Sequence, residues 1–182
     1  GIADTDAENL ELGCKRFGVP GYSTYEEMFA KEDLEIAMAV LPVNANAGAV
    51  IAAAQAGVKA IFCEKPLAHT ATDARAIARL VKAAGVPFFM GHSGRWGKPF
   101  QDMIRLVAKG TLGEPTLVWS TRLGYLERSS PAAAPWRFTD TDSGGVVVEL
   151  GVHEIDFIQW AGGDWQSATA LGTSKTLAPG KY

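Results

Sequence analysis

Two short segments of the chain carry titratable residues where acid–base chemistry is expected. The first is an apolar run, residues 60–63, which is followed directly by Glu64, Lys65 and Pro66. Such a run is typical of a buried parallel strand, and open α/β sheets bind ligands outside the carboxyl ends of their strands. We therefore expect Lys65 to lie at a ligand-binding edge, with Glu64 beside its ammonium group. Pro66 restricts the backbone of Lys65 to extended geometry, which fixes the direction of its side chain.

The second segment, residues 144–161, is predicted to form one long buried helix, because it is apolar on nearly every side. Glu149, His153 and Asp156 follow the spacing i, i+4 and i+7, which places them on one stripe of that helix. Burying such groups costs free energy unless they form hydrogen bonds or ion pairs, or take part in the function of the protein. Two interpretations follow: Asp156 orients His153 in a structural network, or the stripe faces Lys65 across a cleft and supplies acid–base catalysis.

Length and composition are those of an ordinary globular protein. The chain has 182 residues, of which 47% are hydrophobic and 20% charged, with a mean hydropathy of +0.04 and a formal net charge of −3. A net negative charge does not indicate binding to nucleic acid or to anionic membranes. No apolar stretch approaches the roughly 18 residues of a membrane helix. We expect no metal site, and Cys14 and Cys63 are predicted to be buried free thiols.

Strands and helices alternate over the first half of the chain. Strands are predicted at 1–4, 34–41, 58–63 and 86–90, and helices at 7–17, 23–30, 45–57 and 72–84. This alternation is typical of βαβ units with a parallel sheet. After residues 91–97 the rhythm changes to a helix at 98–109, a strand at 116–123, the helix at 144–161 and a strand at 167–173. We therefore predict two α/β domains, residues 1–92 and 93–182.

Asp4 stands at the end of the first predicted strand and precedes a helix. An acidic residue at the end of the second strand of a dinucleotide-binding fold accepts hydrogen bonds from ribose hydroxyls and repels a 2′-phosphate. The alternative is that Asp4 caps the helix that follows it. The first interpretation predicts NAD as the cofactor in preference to NADP.

Short motifs follow one another along nearly the whole chain. They are Asp4, Leu41-Pro42, Glu64-Lys65-Pro66, Gly91 to Trp96, Gly110 to Glu114, Trp136-Arg137, Gly144-Gly145 and Glu149-x3-His153-x2-Asp156. In this order and approximate spacing, the chain resembles the glucose–fructose oxidoreductase and inositol dehydrogenase family of NAD(P)-dependent enzymes. The resemblance implies a partial Rossmann domain, a parallel sheet without its first strand and glycine-rich turn. It also implies that a truncated α/β domain with a mixed or antiparallel sheet follows.

The resemblance also implies a function and a site. The reaction is hydride transfer between a nicotinamide cofactor and a secondary alcohol of a sugar, cyclitol or related polyol, with Lys65, His153 and Glu149 as catalytic residues. The implied cofactor site consists of Asp4, Leu41, Pro42, Asn46, Glu64 and Lys65. The implied substrate site consists of Arg95, Trp136, Arg137, Glu149 and His153. We expect the full-length enzyme to be a cytoplasmic homo-oligomer, with a periplasmic location as the alternative, and the 182-residue segment alone to be inactive.

The chain departs from the family's usual residues at three positions. Glu149 stands where the family often has Asp, Asn46 where it often has His, and Gly94 where it often has Arg. These departures leave a second function open, that of a non-catalytic dinucleotide-binding or sensor protein with the same fold. The presence of both Lys65 and His153 favours the enzyme, because a sensor needs neither.

Overall fold

The computed structural model of the protein describes residues 1–122 and 145–171. Its strands are β1 (Ile2–Ala3), β2 (Gly21–Tyr22), β3 (Ile36–Ala39), β4 (Ala60–Cys63) and β5 (Phe88–Met90). Its helices are α1 (Ala7–Phe17), α2 (Tyr25–Lys31), α3 (Val43–Gln55), α4 (Ala71–Ala84), α5 (Lys98–Ala108), α6 (Gly145–Glu149) and α7 (Gly151–Gly162), with a 3₁₀ turn at Ser93–Trp96. None of these helices combines the length and the apolarity that crossing a membrane requires.

The described strands form two parallel sheets. One has the order β1-β2 and the other the order β3-β4-β5. This matches strands 3-2 and 4-5-6 of the doubly wound fold, in which the first strand lies between the second and the fourth. A cleft of about 470 Å³, lined by residues 1–4 on one side and 36–41 on the other, separates the two sheets. The predicted α/β class with parallel strands is confirmed.

The core lies between the three-stranded sheet and helices α3 and α4. Ile61 of β4, Val50 of α3 and Ile77 of α4 are each at most 1% exposed. In β3, alternate side chains are buried, and the apolar residues between them are exposed. One face of this sheet is therefore covered, because successive side chains of a strand point to opposite faces.

The two cysteines are free but differ in burial. Cys63 is fully buried in the core, and burial raises the pKa of its thiol to about 12, so this thiol is not nucleophilic near neutral pH. Cys14 on α1 is only partly buried. The prediction of two buried thiols is therefore correct for Cys63 alone.

Two predicted strands of the second half do not form in the described residues. Residues 116–122 and 167–171 contain no strand. A strand forms only where a neighbouring segment pairs with its backbone N–H and C=O groups, and these segments show no such pairing. The remaining residues of the two predicted strands lie outside the described part of the chain. The predicted domain boundary between residues 92 and 93 stays a prediction.

The predicted long helix at 144–161 is divided into α6 and α7 by Leu150. Gly151 follows the break, and glycine has a low helix propensity. The prediction that this helix is buried is also wrong for the described residues, because the side chain of Val147 is 67% exposed and that of Ile155 is 48% exposed. The break places Glu149 at the end of one helix and leaves His153 on the next.

Candidate active site

Lys65 directly follows Glu64 at the carboxyl end of β4 and extends to the end of α6. Its Nζ donates to the backbone carbonyl of Glu149 at 2.8 Å and to Oε1 of the same residue at 3.0 Å. The side chains of Lys65 and Glu149 are only 14% and 9% exposed. The expectation that Glu64 binds the ammonium group is wrong, because the Glu64 carboxylate accepts the backbone N–H of Lys65 instead.

Asn46 fixes the backbone on both sides of Lys65. Its side chain is completely buried, and its Nδ2 donates to the carbonyl of Pro66 at 2.8 Å and to that of Glu64 at 3.3 Å. The Oδ1 atom of Asn46 is buried and has no hydrogen-bond partner among the described residues. The role in cofactor binding implied for Asn46 stays a prediction.

Gly91, at the end of β5, makes room for the Glu64 carboxylate. A Cβ atom at this position would lie 2.7 Å from the carboxyl carbon of Glu64. Any other residue would therefore displace the carboxylate from the backbone N–H of Lys65. The end of β5 is also tied to β4, because the N–H of Gly91 donates to the carbonyl of Cys63.

His153 lies on the first turn of α7, close to Lys65. Burial lowers its pKa, and the ammonium group of Lys65 and the guanidinium of Arg122 lower it further, while Glu154 raises it. The imidazole is therefore neutral near neutral pH and able to accept a proton. Among the charged groups that act on this pKa, the ammonium group of Lys65 has the largest effect, after burial.

Asp156 binds Arg95 and does not orient His153. Its carboxylate accepts hydrogen bonds from Nε and Nη2 of Arg95 at 2.9 and 2.7 Å. Burial raises the pKa of Asp156, but the hydrogen bonds from Arg95 and the charges of Arg95, His92 and His153 together lower it overall. The guanidinium also lies over the ring of Trp160, 5.1 Å from its centroid. Arg95 therefore connects the 3₁₀ turn to α7, and this network excludes the interpretation in which Asp156 orients His153.

A polar cleft of about 380 Å³ lies between the 3₁₀ turn, residues 120–122 and α7. Its lining residues are His92, Ser93, Gly94, Arg95, Phe100, Ser120, Thr121, Arg122, His153, Glu154, Asp156, Phe157 and Trp160. The lining thus contains hydroxyl, imidazole, guanidinium and carboxylate groups together with aromatic rings. Such a lining is suited to a small ligand with several hydroxyl groups.

The residues implied for the cofactor lie at the carboxyl ends of three strands. Asp4 follows β1, Leu41 and Pro42 lie between β3 and α3, and Lys65 follows β4. Pro42 stands before the first turn of α3 and makes no side-chain cap hydrogen bond. An acidic residue at a strand end, on the edge where parallel strands end, is the arrangement of a dinucleotide-binding fold.

Asp4 is not the N-cap of α1. That position belongs to Asp6, whose carboxylate accepts the N–H groups of Glu8 and Asn9. Asp4 Oδ1 accepts the N–H of Asp6, and the side chain of Asp4 stays partly exposed. The capping alternative for Asp4 is therefore wrong, and its carboxylate is accessible to a ligand.

Three residues of the candidate site remain: two that the resemblance implied for the substrate, and one that the sequence analysis did not predict. Trp136 and Arg137 lie outside the described residues. His92 was not predicted as a site residue, yet its ring packs edge-on against that of His153. The signal was present in the sequence, because His92 comes two residues after β5 and so occupies the same ligand-binding edge as Lys65.

Fold and site together define a dinucleotide-binding type of α/β protein with acid–base groups at the carboxyl edge of its sheet. A family model described as an oxidoreductase family with an NAD-binding Rossmann fold matches residues 1–92. The GFO/IDH/MocA C-terminal domain matches residues 100–180. The chain belongs to this oxidoreductase family, and NAD is the cofactor for which the family's Rossmann fold is described.

Individual relatives of the chain are sugar and polyol dehydrogenases. The chain is 29% identical over 167 residues to D-apiose dehydrogenase of Paraburkholderia graminis, and the alignment covers 90% of the chain and 42% of the relative. It is 26% identical over 164 residues to myo-inositol 2-dehydrogenase of Thermotoga maritima, covering 90% and 47%. The structure of a levoglucosan dehydrogenase with NADH and levoglucosan aligns with a TM-score of 0.76 at 25% identity, covering 90% and 44%. The chain thus spans less than half the length of each.

We expect Asn46→Ala to destabilise the fold around Lys65. The substitution leaves the buried carbonyls of Glu64 and Pro66 without their donor, which costs about 1–3 kcal/mol in free energy of unfolding. Urea denaturation measures this loss. Asn9→Ala removes an exposed asparagine of α1 and serves as the control, with an expected change within about 0.5 kcal/mol. Equal stability of the two variants would show that the Asn46 amide does not fix the loop.

Proposed function

We propose that the intact protein is an NAD-dependent dehydrogenase that oxidises a secondary alcohol of a sugar, cyclitol or related polyol. The observation that carries the proposal is the contact of the Lys65 ammonium group with Glu149, which sets Lys65 beside the helix that bears His153. The relatives named above, which act on D-apiose, myo-inositol and levoglucosan by their names, support the substrate class. We also propose that the full-length enzyme is a homo-oligomer and that the 182-residue segment alone is inactive.

In this reaction His153 is the general base. Its imidazole is neutral near neutral pH, because burial and Lys65 lower its pKa, and it takes the proton of the substrate hydroxyl. Lys65 donates a hydrogen bond to the same oxygen and stabilises the negative charge that develops there. Glu149 orients the ammonium group of Lys65 through its carboxylate and its backbone carbonyl. The bound nicotinamide supplies the hydride acceptor.

The remaining residues bind and orient. Arg95, fixed by Asp156 and Trp160, lines the cleft beside His153 and offers its outer N–H groups to substrate hydroxyls. Trp136 and Arg137 are proposed to contact the substrate as well. Asp4 is proposed to accept hydrogen bonds from the ribose hydroxyls, and the first turn of α3 to face the cofactor behind Leu41 and Pro42.

The first prediction separates the enzyme from a sensor of the same fold. Lys65→Met and His153→Ala in the intact protein are expected to lower kcat on the order of 10²–10⁴-fold, with NAD affinity nearly unchanged, because each removes a group that acts on the reacting hydroxyl. The reduction of NAD is measured with D-apiose, myo-inositol and levoglucosan as candidate substrates. NAD binding is measured by calorimetry.

Lys59→Met is the matched control, since Lys59 is exposed, precedes the amino end of β4 and pairs with Glu35 at the surface. Its turnover should equal that of the unmodified protein. Near-normal turnover in Lys65→Met or His153→Ala would remove that residue from the mechanism. A protein that binds NAD but reduces none of it across a wide panel of sugars and polyols would favour the sensor.

The second prediction concerns the choice of cofactor. The unmodified protein is expected to have a higher kcat/KM for NAD than for NADP, because the Asp4 carboxylate repels a 2′-phosphate. Asp4→Ala should raise kcat/KM for NADP and so lower the ratio of kcat/KM for NAD to that for NADP. Asp102→Ala removes a carboxylate of α5 that pairs with Lys98 and Arg105, and it should leave the ratio unaltered. A clear preference of the unmodified protein for NADP would refute the role of Asp4.

A further inference from the structure

A second imidazole lies beside His153 in the polar cleft. The rings of His92 and His153 are 6.2 Å apart between centroids and nearly perpendicular, at 85°. The Nδ1 atom of His92 is buried and has no hydrogen-bond partner among the described residues, and Oδ2 of Asp156 lies 3.7 Å from it. His92 therefore lies next to both the imidazole of His153 and the carboxylate of Asp156.

The charge with the largest effect on the pKa differs in sign between the two imidazoles. Apart from burial, which lowers the pKa of both rings, the groups acting on His153 are Lys65, Arg122 and His92, which lower its pKa, and Glu154, which raises it. The groups acting on His92 are Asp156 and Glu64, which raise its pKa, and Arg95 and Lys65, which lower it. The strongest charge effect comes from an ammonium group at His153 and from a carboxylate at His92. Burial aside, the leading charge effect therefore favours a proton on His92 and disfavours one on His153.

We propose that His92 receives the proton that His153 removes from the substrate hydroxyl and passes it to solvent. The proposal rests on the proposed function, in which His153 is the general base. The O–H and C–H bonds of the substrate alcohol break and a C=O bond forms. The proton moves to His153 and then to His92, and the bound nicotinamide would accept the hydride. The edge-on contact between the two rings places His92 next to the imidazole that first takes up the proton. Both imidazoles are neutral again after His92 releases the proton.

Relay by His92 predicts a specific kinetic behaviour. His92→Ala in the intact enzyme is expected to lower kcat roughly tenfold or more, with NAD affinity unchanged, because the proton on His153 then leaves slowly. Imidazole added to the assay should restore the turnover, since it titrates near neutral pH and can occupy the space left by the side chain. Pyrazole, a ring of the same size that is not basic near neutral pH, should not restore it.

A second variant and a substrate-free measurement complete the test. In the His92→Gln variant, glutamine has a bulk similar to that of histidine but does not titrate. This variant should show the same loss of kcat, and its midpoint temperature of thermal unfolding should be unchanged. Nitrogen NMR of the histidine-labelled intact protein can follow both rings, since the signals lost in His92→Gln and His153→Ala assign them. His92 should gain its proton at a higher pH than His153, and Asp156→Asn should lower the pKa of His92, whereas Asp102→Asn should not.

Three results would overturn the relay: undiminished kcat in both His92 variants, a loss that imidazole does not restore, or protonation of His153 before His92. Failure of the proposed function is a different outcome. In that case His153→Ala keeps its turnover, or no sugar or polyol is oxidised, and the NMR order of protonation still decides whether His92 is the preferred proton site.

Discussion

The contact between Lys65 and Glu149 is the interaction on which the rest of the site depends. It joins a loop after β4 to the end of α6, across 84 positions of sequence. Both side chains are almost completely removed from solvent, so each would be costly to bury without the other. The ammonium group also binds the backbone carbonyl of Glu149, which fixes the helix end as well as the side chain. This contact holds Lys65 against the end of α6, next to the helix that bears His153.

Separate contacts position each side of this pair. On the sheet side, the amide of Asn46 binds the carbonyls before and after Lys65, and Gly91 leaves room for the Glu64 carboxylate. On the helix side, Arg95 and Asp156 connect α7 to the turn after β5. The rings of Phe100 and Phe157 pack at 5.2 Å and connect α5 to α7. These contacts preorganise the groups of the site before any ligand binds, as efficient acid–base catalysis requires.

Much of the fold was predictable, because its signals are local. The apolar runs that form β3, β4 and β5 alternate with helices that begin at capping residues such as Thr24 and Thr70. A lysine directly after a buried strand is placed at the ligand-binding edge by the topology alone. Family membership followed from motifs whose order survives even where Asn46, Gly94 and Glu149 differ from the usual residues.

The remaining details depend on contacts between distant segments, which periodicity does not encode. The apolar pattern continues through Leu150, so nothing in it indicates the break between α6 and α7. Glu64 is adjacent to Lys65 in sequence, yet the ammonium group binds Glu149, because the Glu64 carboxylate is occupied by a backbone N–H. The partner of Asp156 is Arg95, and that choice follows from how α7 packs against the 3₁₀ turn.

A structure of the intact protein with NAD and an oxidisable sugar or polyol would test the central claim most directly. The account predicts that Nζ of Lys65 and a ring nitrogen of His153 both lie within hydrogen-bond distance, about 3 Å, of one substrate oxygen. The carbon that bears this oxygen should face the nicotinamide. A substrate oxygen that contacts neither group, or a layer of sheet or helix between Lys65 and His153, would contradict the assignment of these residues to the reaction.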